Sequence, residues 1–145
     1  MAGIKEILKK NKTIAMIGVS KDPSKPSTIV MKYMQKYGYK VIPVNPSAKG
    51  ETILGEEVFG ALKEIKKKID IVDVFRPSKE AVAIAKDTVK IGAKVLWLQL
   101  GISSDVARKI AESNNIDYIE NRCTKMEYQK IFLKVMQAFP VLLNR

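Results

Sequence analysis

The chain has no histidine and one cysteine, Cys123, and each scarcity removes a class of chemistry. Without imidazole there is no Ser-His-Asp arrangement, no histidine acid/base pair and no common catalytic zinc site. A lone cysteine cannot close an internal disulfide, and there is no N-terminal apolar run of signal-peptide type, so the chain reads as a cytoplasmic protein. No segment approaches the ~20 apolar residues that a membrane span needs. Aromatic residues are 7% of the chain and are not interleaved with the lysine clusters at 9–12 and 66–68, so a base-stacking surface for nucleic acid is not indicated. Two phosphate-binding signatures are missing as well. No G-x-x-x-x-G-K-S/T run occurs, and the first strand-to-helix loop lacks G-x-G-x-x-G.

What is present is a large excess of positive charge: 26 lysines and arginines against 15 carboxylates give a formal charge of +11. The lysines are scattered, which suggests a mostly solvated cationic surface with a few members available to an anionic ligand. The 145 residues, 46% hydrophobic, suffice for one core, and we expect a single domain over 1–145.

Apolar runs and helical spacings alternate along the chain. Residues 13–19 read as a strand buried on both faces, followed by a helix with Ile29, Val30, Tyr33, Met34 and Tyr37 at helical spacing and Gly38 as its stop. Residues 41–44 form a second strand, 61–67 a helical stretch, 69–75 a third strand. Pro77 opens a helix carrying Val82, Ala85 and Val89 inward. Residues 93–98 are a fourth strand, Ser104 caps the next helix, 116–119 are a fifth strand, and a last helix starts near Lys125. This alternation is the signature of an α/β, Rossmann-like three-layer sandwich around a five-stranded parallel sheet, with an expected strand order of 3-2-1-4-5. Ligands in such sheets bind outside the carboxyl ends of the strands at the switch point, here expected between strands one and four.

Four loops would meet there, at 18–26, 44–46, 75–77 and 99–101. The first offers backbone N–H groups, Ser20, Ser27 and the ammonium groups of Lys21 and Lys25 as a pyrophosphate seat. Val44-Asn45-Pro46 ends the second strand with no carboxylate, where an NAD site places the acidic residue for the ribose. An NAD(P)-binding protein is therefore disfavoured.

The segments Ile17-Gly18-Val19-Ser20, Gly38-Tyr39-Lys40-Val41-Ile42-Pro43-Val44-Asn45-Pro46, Ile69-Asp70-Ile71-Val72-Asp73-Val74-Phe75-Arg76-Pro77, Trp97-Leu98-Gln99-Leu100-Gly101-Ile102 and Asn121-Arg122-Cys123 resemble the small stand-alone CoA-binding domain family, similar to the N-terminal CoA-binding domain of the succinyl-CoA synthetase α subunit. They span 12–127. The resemblance implies a coenzyme A seat with the pyrophosphate over Gly18, Val19 and Ser20, assisted by Lys25. It places the adenine against Val44, Asn45, Pro46 and the Phe75-Arg76 turn, and points Gln99 and Gly101 at the pantetheine arm. Lys21, Lys25, Lys49, Arg76 and Lys79 remain candidates for the ribose 3′-phosphate. The synthetase's phosphorylated histidine and second domain have no counterpart here, so binding carries over and the ligase reaction does not.

The expectation is a non-catalytic module for coenzyme A or an acyl-CoA, acting as carrier, sensor or enzyme partner. A competing possibility is a CoA-linked thiol or acyl-transfer enzyme using Cys123, whose pKa a helix N-terminus and Arg122 would lower. Asp70 and Asp73 are read as strand-start and polar-contact residues, and Trp97 as core. The apolar stripe of the last helix, continuing through 139–143, raises a homodimer face.

Overall fold

Short apolar segments that expose no face to water force a sheet covered on both sides, and the chain supplies five of them. The computed structural model describes residues 3–134. In chain order the elements are α1 (Ile4–Lys10), β1 (Thr13–Ile17), α2 (Pro26–Lys36), β2 (Lys40–Val44), the two-residue strands β3 (Thr52–Ile53) and β4 (Glu56–Glu57), β5 (Ile71–Val74), α3 (Ala81–Lys90), β6 (Val95–Leu98), α4 (Asp105–Ser113), β7 (Asp117–Ile119) and α5 (Thr124–Tyr128). A π-helical turn, Gln129–Leu133, continues α5. All four residues of β5 and all four of β6 are buried, as parallel strands covered on both faces require.

Side-chain alternation along the strands sorts the core into two layers. Ile14, Met16, Ile71, Val95 and Trp97 face α1, α2 and α5 and pack with Ile7, Leu8, Met31, Met34 and Tyr128. Ala15, Val72, Val74, Leu96 and Leu98 face α3 and α4, meeting Ala81, Ile84, Ala85, Ala107 and Ala111. Trp97 is fully buried, its indole N–H donating to the Arg122 carbonyl at 2.8 Å. The three-layer α/β sandwich read from the sequence is the architecture found. Ser104 caps α4, accepting the Ala107 N–H at 3.1 Å.

The strand order departs from expectation. The parallel sheet runs β2-β1-β5-β6-β7, so the third long strand lies beside β1 rather than outside β2, and the expected 3-2-1-4-5 is corrected to 2-1-3-4-5. The cause lies at β2. Its outer edge carries Pro43, which has no N–H to offer a further strand. That edge is closed by Phe59, whose N–H donates to the Pro43 carbonyl at 3.0 Å and whose carbonyl accepts the Asn45 N–H at 2.8 Å. Residues 61–67, expected to be helical, instead hold a single 3-10 turn, Leu62–Glu64, and the β3–β4 hairpin precedes it. With the β2 edge occupied, β5 takes the free side of β1, pairing Ile14 to Ile17 with Ile71 to Val74. The switch point therefore falls between β1 and β5, not between the first and fourth long strands.

Of the expected last helix, the described residues show α5 and its π turn. The stripe expected beyond Phe132, and with it the proposed homodimer face at 139–143, lies outside the described residues.

Candidate functional site

At the carboxyl end of β1 the backbone turns sharply at Gly18, φ +93°, a left-handed conformation that L side chains avoid. Space is the second constraint. A β-carbon at this position would lie 2.7 Å from the Phe75 carbonyl oxygen and 2.9 Å from Arg76 Cδ. The loops after β1 and β5 thus approach each other as closely as a missing side chain allows. The Gly18 N–H donates to the Val44 carbonyl at 2.8 Å, and the Phe75 N–H to the Ile17 carbonyl at 2.8 Å, tying three strand ends together.

Asn45 fastens the same junction from the β2 side. Its Nδ2 donates to the Val19 carbonyl at 2.9 Å, and its Oδ1 accepts the Ser47 N–H at 3.0 Å and the Ser47 hydroxyl at 2.8 Å. Its side chain is therefore committed to shaping the loops. Val19 is fully buried, its side chain part of the core under the loop. The Ser20 N–H donates to Ser27 Oγ at 3.1 Å and the Ser20 carbonyl accepts the Thr28 hydroxyl at 2.6 Å, pinning the loop to the start of α2.

Between these loops and α3 opens a cleft of about 380 Å³, with Pro46, Leu62 and Ile84 as apolar wall and Gly18, Asn45 and Arg76 at its mouth. A volume of this size suits a heterocycle, and small-molecule sites range over roughly 300–1,000 Å³. Glu80 and Asp87 add carboxylates to the lining.

Arg76 lines the cleft and Lys49 lies against its Gly60; both are paired, as is Lys21 on the first loop. Arg76 Nε and Nη2 donate to the two carboxylate oxygens of Glu80 at 3.1 and 2.7 Å. Lys49 Nζ reaches Glu64 Oε2 at 3.2 Å, while the other Glu64 oxygen accepts the N–H of cleft residue Gly60 at 3.1 Å. Lys21 Nζ lies 3.1 Å from Glu51. The Gly60 N–H and Lys49 hold the Glu64 carboxyl below its usual range, and Arg76 does the same for Glu80. Lys25 is exposed at the start of α2.

Gln99, Gly101 and Cys123 lie outside this cleft, beyond β5. The expectation that the Gln99 side chain faces a ligand arm is not met in this structure: it is buried and turned inward, donating to Asp73 Oδ1 at 2.6 Å and to Thr124 Oγ1 at 3.0 Å. The Thr124 hydroxyl donates to Asp73 Oδ2 at 3.1 Å, closing a polar triangle under the start of α5. Burial pushes the Asp73 carboxyl up to about 7 despite those bonds. Asp70, by contrast, accepts the Lys12 and Thr13 N–H groups at the strand start, as expected. Gly101 is exposed, its N–H donating to Asn121 Oδ1 at 2.7 Å. Cys123 is half-buried, and burial, with the Asp73 charge behind it, pushes its thiol up, against the lowered pKa that the competing enzyme reading needs.

Sequence reasoning missed Gly60, Leu62, Ile84, Asp87 and the three carboxylates. Only Glu80 carried a usable signal, its i+4 spacing from Arg76.

A profile of the CoA binding domain family matches residues 12–129. The chain belongs to that family. This CoA binding domain is 38% identical over 127 residues to the Bacillus subtilis (strain 168) protein YneT, covering 88% of this chain and 93% of that one. Among solved structures it is similar to cell-free ID.343 from Thermus thermophilus, with TM-score 0.86, 34% identity and coverage of 90% of this chain and 100% of that chain. A hypothetical protein from Pyrococcus horikoshii OT3 superposes at TM-score 0.84 with 35% identity over 88% of this chain and 89% of that chain. The dinucleotide-forming acetyl-coenzyme A synthetase 1 of Ca. Korarchaeum cryptofilum shares the fold at TM-score 0.62 and 24% identity, over 74% of this chain and 25% of its own.

Proposed function

We propose that this CoA binding domain holds coenzyme A or an acyl-CoA without transforming it, serving as a carrier, sensor or partner of an enzyme on another chain. The cleft at the β1/β5 switch point carries the proposal, because Gly18 leaves no room for a side chain between the ligand-facing loops and the Arg76 guanidinium lines it. The purine lies against Pro46, Leu62 and Ile84. The pyrophosphate sits over the 18–20 backbone with Lys21, Lys25 and Arg76 in reach, since helix starts and bidentate arginine both favour phosphate. The pantetheine arm crosses the end of β5 toward Gly101.

One feature favours binding over thiol chemistry: burial pushes the Cys123 thiol up, away from the thiolate that an acyl transfer would need. Asn45 stands where a ribose-reading carboxylate would support NAD, and its polar atoms are occupied by Val19 and Ser47.

Calorimetry of coenzyme A, dephospho-coenzyme A and NAD against the protein at moderate salt tests the proposal. Coenzyme A is expected to bind more tightly than dephospho-coenzyme A, with NAD weakest. Equal affinity for all three, or none for coenzyme A, overturns it.

A further inference from the structure

The two cations at the cleft that make the best-formed anion contacts already hold an anion, and in each case it is a side chain of this chain. Glu80 is held by Arg76 in a fork of two hydrogen bonds, 3.1 and 2.7 Å, the same planar geometry that arginine offers to two oxygens of a phosphate. Glu64 lies on one ammonium and one backbone N–H, Lys49 at 3.2 Å and Gly60 at 3.1 Å, and that combination also cradles phosphates. Gly60, Arg76 and Glu80 all line the cleft. Both carboxylates are partly exposed, Glu64 by 30% and Glu80 by 38%, so either can swing into water when displaced.

We propose that Glu64 and Glu80 are internal competitors, occupying with their carboxylates the positions that ligand phosphates take, and so restrict the site to ligands with phosphates at two separate points. This rests on the coenzyme A proposal and extends it to how the site selects. A ligand with one weak anionic group gains little by exchanging places with a carboxylate of equal charge. A phosphomonoester such as the ribose 3′-phosphate brings more charge and a third acceptor oxygen than a carboxylate, and a pyrophosphate brings two linked charges at once, so these groups make the exchange favourable.

The inference differs from a general effect of net charge, and one further pair separates the two. Glu6 pairs with Lys10 at 2.6 Å, again at i,i+4, beside Lys94 and Asp117 at the amino ends of the strands, on the opposite edge of the sheet. Removing Glu6 changes the total charge as much as removing Glu80 does.

The experiment compares E64Q, E80Q, the double variant and E6Q with the unchanged protein, by calorimetry of coenzyme A and by NMR titration of inorganic pyrophosphate. E64Q and E80Q should each tighten coenzyme A by about 1.4- to fivefold, the span expected when an exposed ion pair is removed. The double variant should combine the two gains, and E6Q should leave affinity unchanged. If coenzyme A binds but E64Q and E80Q match the unchanged protein, or E6Q tightens equally, the competitor inference is overturned and the coenzyme A proposal stands. If coenzyme A does not bind, that proposal fails. Pyrophosphate then decides the inference: tighter binding to E64Q and E80Q alone supports it, and equal or absent binding to all variants overturns it.

Discussion

Replacing Gly18 by alanine asks for a β-carbon at φ +93° with the Phe75 carbonyl oxygen 2.7 Å away. The left-handed backbone alone costs about 1–2 kcal/mol, and the clash is with backbone, which cannot rotate aside. Gly18→Ala is therefore expected to lower stability by at least about 1–2 kcal/mol in urea unfolding and to abolish coenzyme A binding; a variant with unchanged affinity would remove Gly18 from the site. Asp73 makes a second prediction at this scale, through pH. Its folded-state pKa, about 7, stands above the ordinary carboxylate value. The folded protein thus binds a proton that the unfolded chain releases, and the stabilisation, complete below pH ~4, is lost as pH rises through about 7. Carboxylates held below their usual range, such as Glu64 and Glu80, act in the opposite sense and only at lower pH. Asp73→Asn can still accept from Gln99 and donate to Thr124, so it should fold and flatten the dependence of Tm on pH between 5 and 7.5. An undiminished slope in the variant would show that another group titrates there. Cys123 supplies a third test, because a thiol raised by burial should react with iodoacetamide more slowly than glutathione at pH 8. Faster labelling would revive an enzyme built on this residue.

Individual elements differ in how much rests on one contact. The Ser104 cap on α4 satisfies a helix N–H, and Ser104→Ala should cost about 1 kcal/mol in chemical denaturation. This cap was legible from sequence, as were the five long strands, because a doubly covered parallel strand leaves an apolar run that few other structures produce. The order of those strands was not legible from the runs themselves. It depends on Phe59 closing the β2 edge, a contact between residues 16 apart that no periodicity encodes, although Pro43 already marked β2 as an edge strand. The failed helix at 61–67 has a local cause in hindsight. Its apolar residues number too few to form a stripe.

At the scale of the molecule, moving the switch point to β1/β5 changes which predicted site residues meet. Gly18, Val44, Asn45, Pro46 and Arg76 were named from sequence and converge on one cleft. The loop at 99–101 was placed at the same spot because strand four was expected beside strand one, and the observed order moves it one strand away; Cys123 was named for its place between the fifth strand and the last helix. The carboxylates were overlooked for a different reason: a charge of +11 draws attention to cations, and while the i+4 spacing of Arg76 and Glu80 is local, the ion pairs of Lys21 and Lys49 join residues far apart in sequence. The central claim is that coenzyme A occupies the carboxyl edge of the sheet. Backbone amide shifts on titration with coenzyme A test it most directly. Changes at Gly18, Val19, Ser20, Asn45, Ser47 and Arg76 are expected, with none at Asn11, Lys94 or Asp117 on the opposite edge, and shifts confined to that opposite edge would contradict the account.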